Sequence, residues 1–483
     1  MKYEVSFNGV PAKTRGIRVS AALINRVWDG VQRSESQTAS AYFASFHGDY
    51  PATVRIKLPD PAVVYEIRPA IPGLGISRDG DTVSVVSQGP CQFVLIPEGD
   101  PGALHVFLDP PLKEPEGDVI SFGKGEHFAG LIKLGSGQTL WLDEGAVVHG
   151  VVYAEDASDL RIAGYGVLDA SPYRRGNDPH LGGREIIDAL KDMGLSENDL
   201  KYYGNLVLRS CRGVKVEGVV FTDAPMWSVT VRNGCENVVF DGVKLVGQWR
   251  YNADGIDICS SKNVTVKNSF IRSFDDCLVV RNAYLDGEYL DSENVRFSNC
   301  VLWCDWGKSV EIWCSQKPGA IRNVTVEDCH LIRLAAVGLN VTTWYGSASS
   351  VIENLVFRNI RIYGEKSYPK PVVEKPGVHA FPQRDDFIPY SLRVTAEKLG
   401  VMRGLGTQIC EAADDYSGFR LRYRNILFEN VRTDDVRLRT DVCSVSEEVL
   451  VIEDLRIVDS DPVIRPRVAA PSPRPSRIQE DGK

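Results

Sequence analysis

Residues 252–276 read NADGIDICSSKNVTVKNSFIRSFDD, and this stretch decides how the chain folds. Two short runs of alternating β-branched residues separate Asp254 from the adjacent pair Asp275 and Asp276. If this strand, turn, strand pattern wraps once around a coil, and the next coil stacks on it in parallel, equivalent residues lie roughly 4.8 Å apart. Asp254 and Asp276 are 22 residues apart, which fits one wrap. The sequence therefore predicts that three carboxyl groups crowd together.

Crowded carboxylates repel one another, so at least one of the three is expected to keep its proton to a higher pH. A protonated carboxyl beside an ionised one is the usual requirement for general acid and base catalysis by a pair of acids. The alternative is structural, because Asp, Asn and Gly are common turn residues and each aspartate alone is typical of a turn.

The segment resembles the polygalacturonase-like inverting glycoside hydrolases of family 28. Their motif reads Asn-Thr-Asp-Gly-Ile-Asp, then a strand of Asn-Val-Thr-Ile type, then Asp-Asp-Cys, and the counterparts here are residues 252–257, 263–266 and 275–277. The resemblance implies a single displacement with inversion at the anomeric carbon. It also implies that Asp275 protonates the leaving oxygen, while Asp254 and Asp276 hold and deprotonate the attacking water.

The chain departs from that family at two places. Polygalacturonases follow the acidic pair with Gly-His-Gly, where residues 307–309 here read Gly-Lys-Ser, and Lys308 cannot reproduce the titration of a histidine. They also carry an Arg-x-Lys pair for the galacturonate carboxylate, whereas residues 338–345 contain no cation. Neutral sugars therefore fit better, although Arg250, Arg272 and Arg281 remain possible replacements for the missing cations.

Residues around the motif are predicted to bind the substrate, the aromatic ones by stacking on sugar rings. For each aromatic residue, packing in the core is the alternative. His180 is included because it lies in a long insertion, residues 173–203, that interrupts the repeat and is expected to lie over the carboxyl groups. The predicted substrate-binding residues are Asn252, Asp257, Lys308, Glu311, Arg281, Trp249, Trp306, Trp313, Trp344, Tyr345 and His180.

A turn asparagine followed by an alternating strand recurs along the second half of the chain, at Asn237, Asn263, Asn294, Asn323, Asn354 and Asn425. Repeats of 20 to 50 residues indicate stacked units. Helical periodicity is absent from these units, so stacking them in parallel gives a β-helix. The aligned asparagines are expected to form a hydrogen-bonded ladder inside the coil. A second insertion, about 364–419, widens the last interval.

The predicted fold is all-β, with a right-handed parallel β-helix preceded by an N-terminal antiparallel β-sandwich. We predict the sandwich in residues 1–117, the β-helix catalytic domain in 118–460 and a disordered tail in 461–483. The sandwich is expected to cover the open end of the β-helix. Glycan binding by its Trp28, Tyr42 and Phe43 is the alternative. A sandwich followed by such a helix also looks like the dextranase and isopullulanase family 49, which cuts neutral glucans.

Composition excludes several classes of function. A net charge of −9 and a pI near 5.5 argue against a nucleic-acid partner, and no run of 18 apolar residues could span a membrane. The start of the chain has Glu4 where a signal peptide needs an apolar region, so a cytoplasmic location is expected. The 11 cysteines form no Cys-x-x-Cys pair and are expected to be reduced. Histidine spacing predicts no catalytic metal, and we expect no cofactor.

Together these patterns predict an inverting O-glycoside hydrolase that acts on imported oligosaccharides or chain ends, with neutral, α-linked residues. An exo-galacturonidase with a relocated cationic subsite is the alternative within the enzymes. A non-catalytic glycan-binding β-helix, in which the aspartates only form turns, is the alternative outside them. The expected partner is the oligosaccharide, and the oligomeric state is left open.

Overall fold

The computed structural model describes most of the chain. The described residues are 3–21, 35–99, 102–173, 188, 191–192, 203–282, 290–314, 319–345, 350–366, 388–398, 421–444, 450–461 and 467–468. Within them, no helix has the length and hydropathy that crossing a membrane requires. His180, Trp28 and most of both long insertions lie outside the described residues.

The N-terminal strands form two five-stranded sheets, in the orders β2-β1-β5-β8-β7 and β3-β4-β10-β9-β6. The strands are β1 (Glu4–Phe7), β2 (Val10–Ala12), β3 (Arg15–Ser20), β4 (Thr38–His47), β5 (Ala52–Lys57), β6 (Tyr65–Arg68), β7 (Gly75–Asp79), β8 (Thr82–Ser87), β9 (Cys91–Pro97) and β10 (Leu104–Asp109), with a 3-10 turn at Glu35–Gln37. The inner faces of both sheets share one apolar core, which includes Val54, Val85, Phe93 and Val106. The predicted sandwich is confirmed, except that β4 and β10 pair in parallel.

All remaining described strands join one continuous sheet that winds around an apolar column. They are β11 (Val119–Phe122), β12 (Gly125–Lys133), β13 (Thr139–Leu142), β14 (Ala146–Glu155), β15 (Ser158–Gly164), β16 (Val167–Asp169), β17 (Leu206–Arg209), β18 (Arg212–Glu217), β19 (Val220–Thr222), β20 (Val229–Arg232), β21 (Glu236–Asp241), β22 (Lys244–Leu245), β23 (Ile256–Cys259), β24 (Lys262–Lys267), β25 (Phe270–Ser273), β26 (Leu278–Arg281), β27 (Ser292–Ser298), β28 (Val301–Cys304), β29 (Lys308–Cys314), β30 (Gly319–Glu327), β31 (His330–Arg333), β32 (Val337–Tyr345), β33 (Ser350–Ile362), β34 (Tyr390–Lys398), β35 (Leu421–Thr433), β36 (Arg439–Ser444), β37 (Leu450–Val458) and β38 (Arg467–Val468).

Each strand of this sheet pairs in parallel with the equivalent strands of the coils before and after it, as in β21, β24 and β27. Val264 stacks between Val238 and Val295, and Val266 stacks between Phe240 and Phe297. All six side chains are buried, because alternate residues of a strand point to the same side. Burying such columns stabilises the coil by roughly 25 cal/mol per Å² of apolar surface removed from water. The predicted parallel β-helix is confirmed.

The repeating asparagines form a ladder along the outside of the coil. Each Nδ2 donates to the Oδ1 of the preceding asparagine at 2.8–2.9 Å, from Asn425 to Asn354, Asn323, Asn294 and Asn263. All five residues have φ between 51° and 59°, a left-handed conformation that asparagine tolerates better than most residues. The ladder is therefore real, but its predicted place inside the coil was wrong: these bonds lie at the surface, where a turn begins each strand.

The N-terminal sheets lie along the side of the β-helix. Ile17, Phe43 and Phe107 share one buried cluster with Val220 and Trp303, which lie on the outer faces of β19 and β28. The expectation that this region covers the open end was therefore wrong, because the apolar outer face of several successive coils is what needs covering. Phe43 is only 6% exposed, so it packs in this interface and is not available to stack on a sugar.

Two further expectations concern cysteines and the tail. None of the nine cysteines whose side chains the structure describes forms a disulfide, and the Cys211 amide lies 3.3 Å from the Cys235 sulfur. In the predicted tail, Arg467–Val468 pairs in parallel with Cys443 and Ser444, so this piece is a strand.

Replacing Asn323 by alanine should destabilise the protein by about 2 kcal/mol or more. The change removes the hydrogen bonds of Asn323 with Asn294 and Asn354, which together contribute about 1 kcal/mol or more. It also leaves an alanine in the left-handed region, which costs about 1 kcal/mol. Asn323→Gly removes the same bonds without the backbone strain, so it should destabilise less. Thermal or denaturant unfolding of both variants measures this. Unfolding curves identical to that of the native protein would show that the ladder does not stabilise the coil.

Candidate active site

Three successive turns stack in register on one side of the β-helix. The Gly255 amide donates to the Asp276 carbonyl at 2.7 Å, and the Ile256 amide donates to the Cys277 carbonyl at 2.9 Å. The Cys277 amide donates in turn to the Lys308 carbonyl at 2.9 Å. Because these bonds fix the register of the coils, Asp254 and the Asp275–Asp276 pair lie on adjacent turns. The stacking predicted from their separation in sequence is observed.

The absence of a side chain at Gly307 allows the acidic pair to meet. A Cβ atom at this position would lie 2.3 Å from Asp275 Oδ1 and 2.4 Å from Asp276 Oδ1, closer than any real contact. The two carboxyl groups therefore converge directly over the Gly307 backbone. Asn252, in the left-handed region with φ 56°, points its Nδ2 at Asp275 Oδ2 from 3.3 Å. This predicted substrate-binding residue therefore contacts an acid of the site, and its binding to the substrate stays a prediction.

Lys308 lies between two carboxyl groups. Its backbone amide donates to Asp276 Oδ1 at 2.8 Å and its Nζ lies 3.4 Å from Asp276 Oδ2. The same Nζ lies 3.8 Å from Glu311 Oε2, which also accepts a 2.7 Å bond from Asn340 Nδ2. One ammonium group thus serves both Asp276 and Glu311.

Arg281 neutralises the acids on the other side of the site. Its Nη2 lies 2.7 Å from Asp257 Oδ1 and 3.5 Å from Asp254 Oδ2. Its guanidinium carbon also lies 4.4 Å from the Trp227 ring centre and 5.4 Å from that of Trp313. Stacking and ion pairing together hold the Arg281 head group in one orientation.

Five carboxyl groups and two cations make this cluster acidic, and burial raises the proton affinity of several of the acids. Burial raises the pKa of Asp275 well above its ordinary value, and the neighbouring Asp276 raises it further. Burial, followed by the charges of Asp257, Asp275 and Asp276, likewise raises the pKa of Asp254. Burial also raises the pKa values of Asp257 and Glu311 to about 7. The cluster therefore holds protons at neutral pH.

Trp249, predicted to stack on sugar, is 4% exposed. Its Nε1 donates to Asp223 Oδ1 at 2.9 Å, and the guanidinium groups of Arg18 and Arg250 lie 5.4 and 5.3 Å from its ring centre. Arg250 is itself paired with Asp223 at 3.1 Å. These contacts favour the packing alternative for Trp249 and engage Arg250 away from the three aspartates.

Trp306 is also a packing residue by its contacts. It is 7% exposed, and its ring stacks on Phe274 at 5.5 Å and meets Tyr251 edge-on at 5.7 Å. Because Phe274 precedes Asp275 and Trp306 precedes Gly307, this stack supports the turns that carry the acids. Trp313 is half-buried beside Arg281. The side chains of Trp344 and Tyr345, and all of His180, lie outside the described residues.

Sequence reasoning missed Trp227 as a member of the site. Val229 pairs with Ile256 on the next coil, so the same register aligns Trp227 with Asp254. Counting back by the repeat length from Asp254 would therefore have identified Trp227. In the part of the chain that the structure describes, no group of three or more His, Cys, Asp and Glu side chains is arranged to hold a metal ion. The absence of a catalytic metal stays a prediction.

Comparison with known proteins connects this geometry to one family. Residues 195–375, which contain the stacked acids, match the sequence model of the glycosyl hydrolases family 28. The middle of the chain is similar to these hydrolases. A probable polygalacturonase of Arabidopsis thaliana is 26% identical over 162 residues, 32% of this chain and 33% of that protein. A probable exopolygalacturonase B of Aspergillus fumigatus is 27% identical over 219 residues, 42% of this chain and 43% of that protein.

The resemblance to the polygalacturonase-like hydrolases is thus confirmed, while the chain spans less than half the length of these two relatives. Two solved structures have a similar fold. Dex49A from Penicillium minioluteum aligns with 82% of this chain and 87% of its own, at 13% identity and a TM-score of 0.46. The family 28 exopolygalacturonase of Yersinia enterocolitica aligns with 87% of this chain and 96% of its own, at 13% identity and a TM-score of 0.40.

Glu311→Gln should change how the stability of the protein depends on pH. Burial raises the pKa of Glu311 from 4.5 to about 7, so the folded state binds a proton that the unfolded state releases between these values. The protonated Glu311 contributes its full stability to the folded state below about pH 4.5. As the pH rises through about 7 this contribution is lost, and the free energy of unfolding falls by up to about 3 kcal/mol. Glutamine has no such proton, so the variant should gain melting temperature relative to the native protein above this window.

Calorimetry below and above the window measures the gain. Glu116→Gln is the matched control, because Glu116 is exposed and its partner Lys113 lowers its pKa. That control should leave the pH dependence in the window unchanged. A difference in melting temperature between Glu311→Gln and the native protein that is equal at both pH values would contradict the assignment.

Proposed function

We propose that the protein is an O-glycoside hydrolase that inverts the anomeric carbon, with Asp275 as general acid and Asp254 and Asp276 activating water. The observation that carries the proposal is the convergence of these carboxyl groups on adjacent turns, with one proton-holding acid next to an acid bound by a cation. The similarity of residues 195–375 to glycosyl hydrolases supports the same chemistry.

Asp275 is suited to the role of acid because burial and the adjacent Asp276 both raise its pKa. It therefore carries a proton that it can donate to the glycosidic oxygen as the bond to the anomeric carbon breaks. Asn252 Nδ2, at 3.3 Å from Asp275 Oδ2, keeps the carboxyl group oriented in both protonation states.

Asp276 is suited to the role of base because the Lys308 amide donates to its Oδ1 and the Lys308 ammonium lies 3.4 Å from its Oδ2. Arg281, at 3.5 Å, favours the ionised form of Asp254, against the burial that raises the pKa of Asp254. A water held by these two carboxyl groups attacks the anomeric carbon from the face opposite the leaving group. The new bond joins the water oxygen to that carbon, and the water proton passes to the base. Inverting enzymes keep their acid and base roughly 6.5 to 9.5 Å apart to make room for the water. Asp275 and Asp276 converge over Gly307 more closely than this, so the proposal requires their side chains to separate when substrate and water bind.

Charge favours a substrate with neutral residues. Arg281 is shared by Asp254 and Asp257, and Lys308 is shared by Asp276 and Glu311, so each cation of the cluster already faces two acids. A uronic acid placed here would bring a further negative charge into an acidic, buried site, at an electrostatic cost. Asn340, in the stretch where polygalacturonases carry their cation pair, binds Glu311.

Galacturonides are the second candidate substrate, because the named relatives are a probable polygalacturonase and a probable exopolygalacturonase. A panel of neutral α-linked glucans and galactans, together with galacturonides, separates the two candidates. Proton NMR of the first sugar released should show the inverted anomer from a neutral glycan. Release from galacturonides alone would reject the neutral substrate, and the retained anomer would reject the mechanism. Binding without release would favour a glycan-binding β-helix.

Asn replacements of Asp254, Asp275 and Asp276 should each lower kcat by 100-fold or more, because each removes a proton donor or acceptor from the reaction (about 10²–10⁴-fold). Initial rates on the best substrate of the panel measure this. Glu293→Asn, at an acid on the neighbouring strand β27 that pairs with Lys262 and Arg322, is the control and should keep the native rate. Full activity in all three aspartate variants, with unchanged far-UV spectra, would place the chemistry elsewhere.

A further inference from the structure

A buried polar chain crosses from the N-terminal sheets into the β-helix behind the candidate site. His105, on β10, is fully buried, and its Nδ1 lies 2.8 Å from the Tyr42 carbonyl oxygen. A carbonyl only accepts, so Nδ1 carries the proton and Nε2 is left as an acceptor. Arg272 Nη1, on β25, lies 3.4 Å from this Nε2. The contact joins residues 167 positions apart.

Burial, followed by the charge of Arg272, lowers the pKa of His105 to about 3. The imidazole is therefore neutral around neutral pH and can accept from the guanidinium. A second cation here would repel Arg272, and an apolar side chain would leave an N–H group of Arg272 without this acceptor in a buried interface.

Arg272 also forms an ion pair with Asp305. Its Nε lies 3.2 Å from Asp305 Oδ2, and Trp303 Nε1 donates to Asp305 Oδ1 at 2.8 Å. The guanidinium carbon of Arg272 also lies 4.0 Å from the Trp303 ring centre, and His105 packs on the same ring at 5.9 Å. Arg272 and Asp305 are 1% and 3% exposed, so both depend on these partners for their charge.

Asp305 and Arg272 each lie immediately before a turn of the site. The Asp305 amide donates to the Ser273 carbonyl at 3.0 Å, which ties the two turns together. The Ser273 hydroxyl donates to the Asp275 carbonyl at 2.7 Å, and the Cys304 sulfur lies 3.3 Å from the same oxygen. An unbroken set of contacts therefore runs from His105 to the backbone of Asp275.

We propose that His105 is a positioning residue, which acts through Arg272 and Asp305 to fix the turns that carry Asp275 and Gly307. The N-terminal sheets thereby complete the candidate active site and are part of the hydrolase itself, not a separate glycan-binding unit. The kinetic part of this inference rests on the proposed function, and the structural part does not. The chemistry is sensitive to such positioning, since a displacement of about 1 Å can cost about 100-fold in rate.

His105→Phe and His105→Gln test the proposal as a pair. Phenylalanine fills the space but accepts no hydrogen bond, so kcat should fall at least tenfold while KM changes less than about threefold. Glutamine supplies an acceptor oxygen for Arg272 and should restore most of kcat. Hydrogen exchange of residues 273–277 and 304–308 should be faster in His105→Phe than in the native protein and near native in His105→Gln.

The double variant Asp109→Asn, Lys244→Met is the matched control. Asp109 and Lys244 form another buried ion pair between the same two regions, at 2.5 Å, but Lys244 lies one coil earlier, at the end of β22 that is farther from the turns. This variant should keep the native kcat and the native exchange of both turns. If His105→Phe does not fold, Arg272→Lys replaces it, because lysine keeps the charge next to Asp305 without also reaching His105.

Native kcat and native exchange in the folded variant would overturn the proposal. An equal loss in the control would overturn it as well, because the effect would then belong to the interface as a whole. If hydrogen exchange is faster in His105→Phe but the native protein releases sugar from no glycan, the positioning role of His105 is supported and the proposed hydrolase activity is rejected.

Discussion

The hydrogen-bond register between successive coils is the constraint on which the site depends. The bonds from Gly255 to Asp276 and from Cys277 to Lys308 bring acids from distant parts of the sequence to within one strand spacing of each other. A shift of one residue between these coils would turn the side chains to the opposite face and scatter the cluster. The asparagine ladder and the apolar columns maintain the register over many coils. The same register therefore both stabilises the β-helix and aligns the acids of the site.

Within this frame, the balance of charge decides what the cluster can do. Arg281 and Lys308 each serve two acids, which leaves Asp275 without an ion pair of its own among the described residues and next to Asp276. Because Asp275 is buried, protonation of its carboxyl group relieves the repulsion from Asp276 at the lowest free energy. Because the cluster has fewer cations than acids, Asp275 keeps a proton and an anionic sugar is disfavoured. The proposed mechanism and the proposed substrate preference therefore follow from the same excess of acids.

Local patterns in the sequence were enough to predict the β-helix, the sandwich and the meeting of Asp254 with Asp275 and Asp276, because stacking in parallel follows from the repeat. They could not show that Trp306 packs on Phe274, since burial depends on neighbours from other coils. Nor could they show that the ladder lies outside, which depends on the turn conformation. The contact of His105 with Arg272 joins two domains, and no local pattern reports it.

The protonation state of Asp275 is the central claim, and infrared difference spectroscopy tests it directly. The spectrum of the native protein minus that of Asp275→Asn, recorded around neutral pH, should show the carbonyl stretch of a protonated carboxyl group. That band should disappear from the difference only at a pH well above the ordinary range of aspartate. A difference spectrum with carboxylate bands alone around neutral pH would contradict the account, because Asp275 would then have no proton to give.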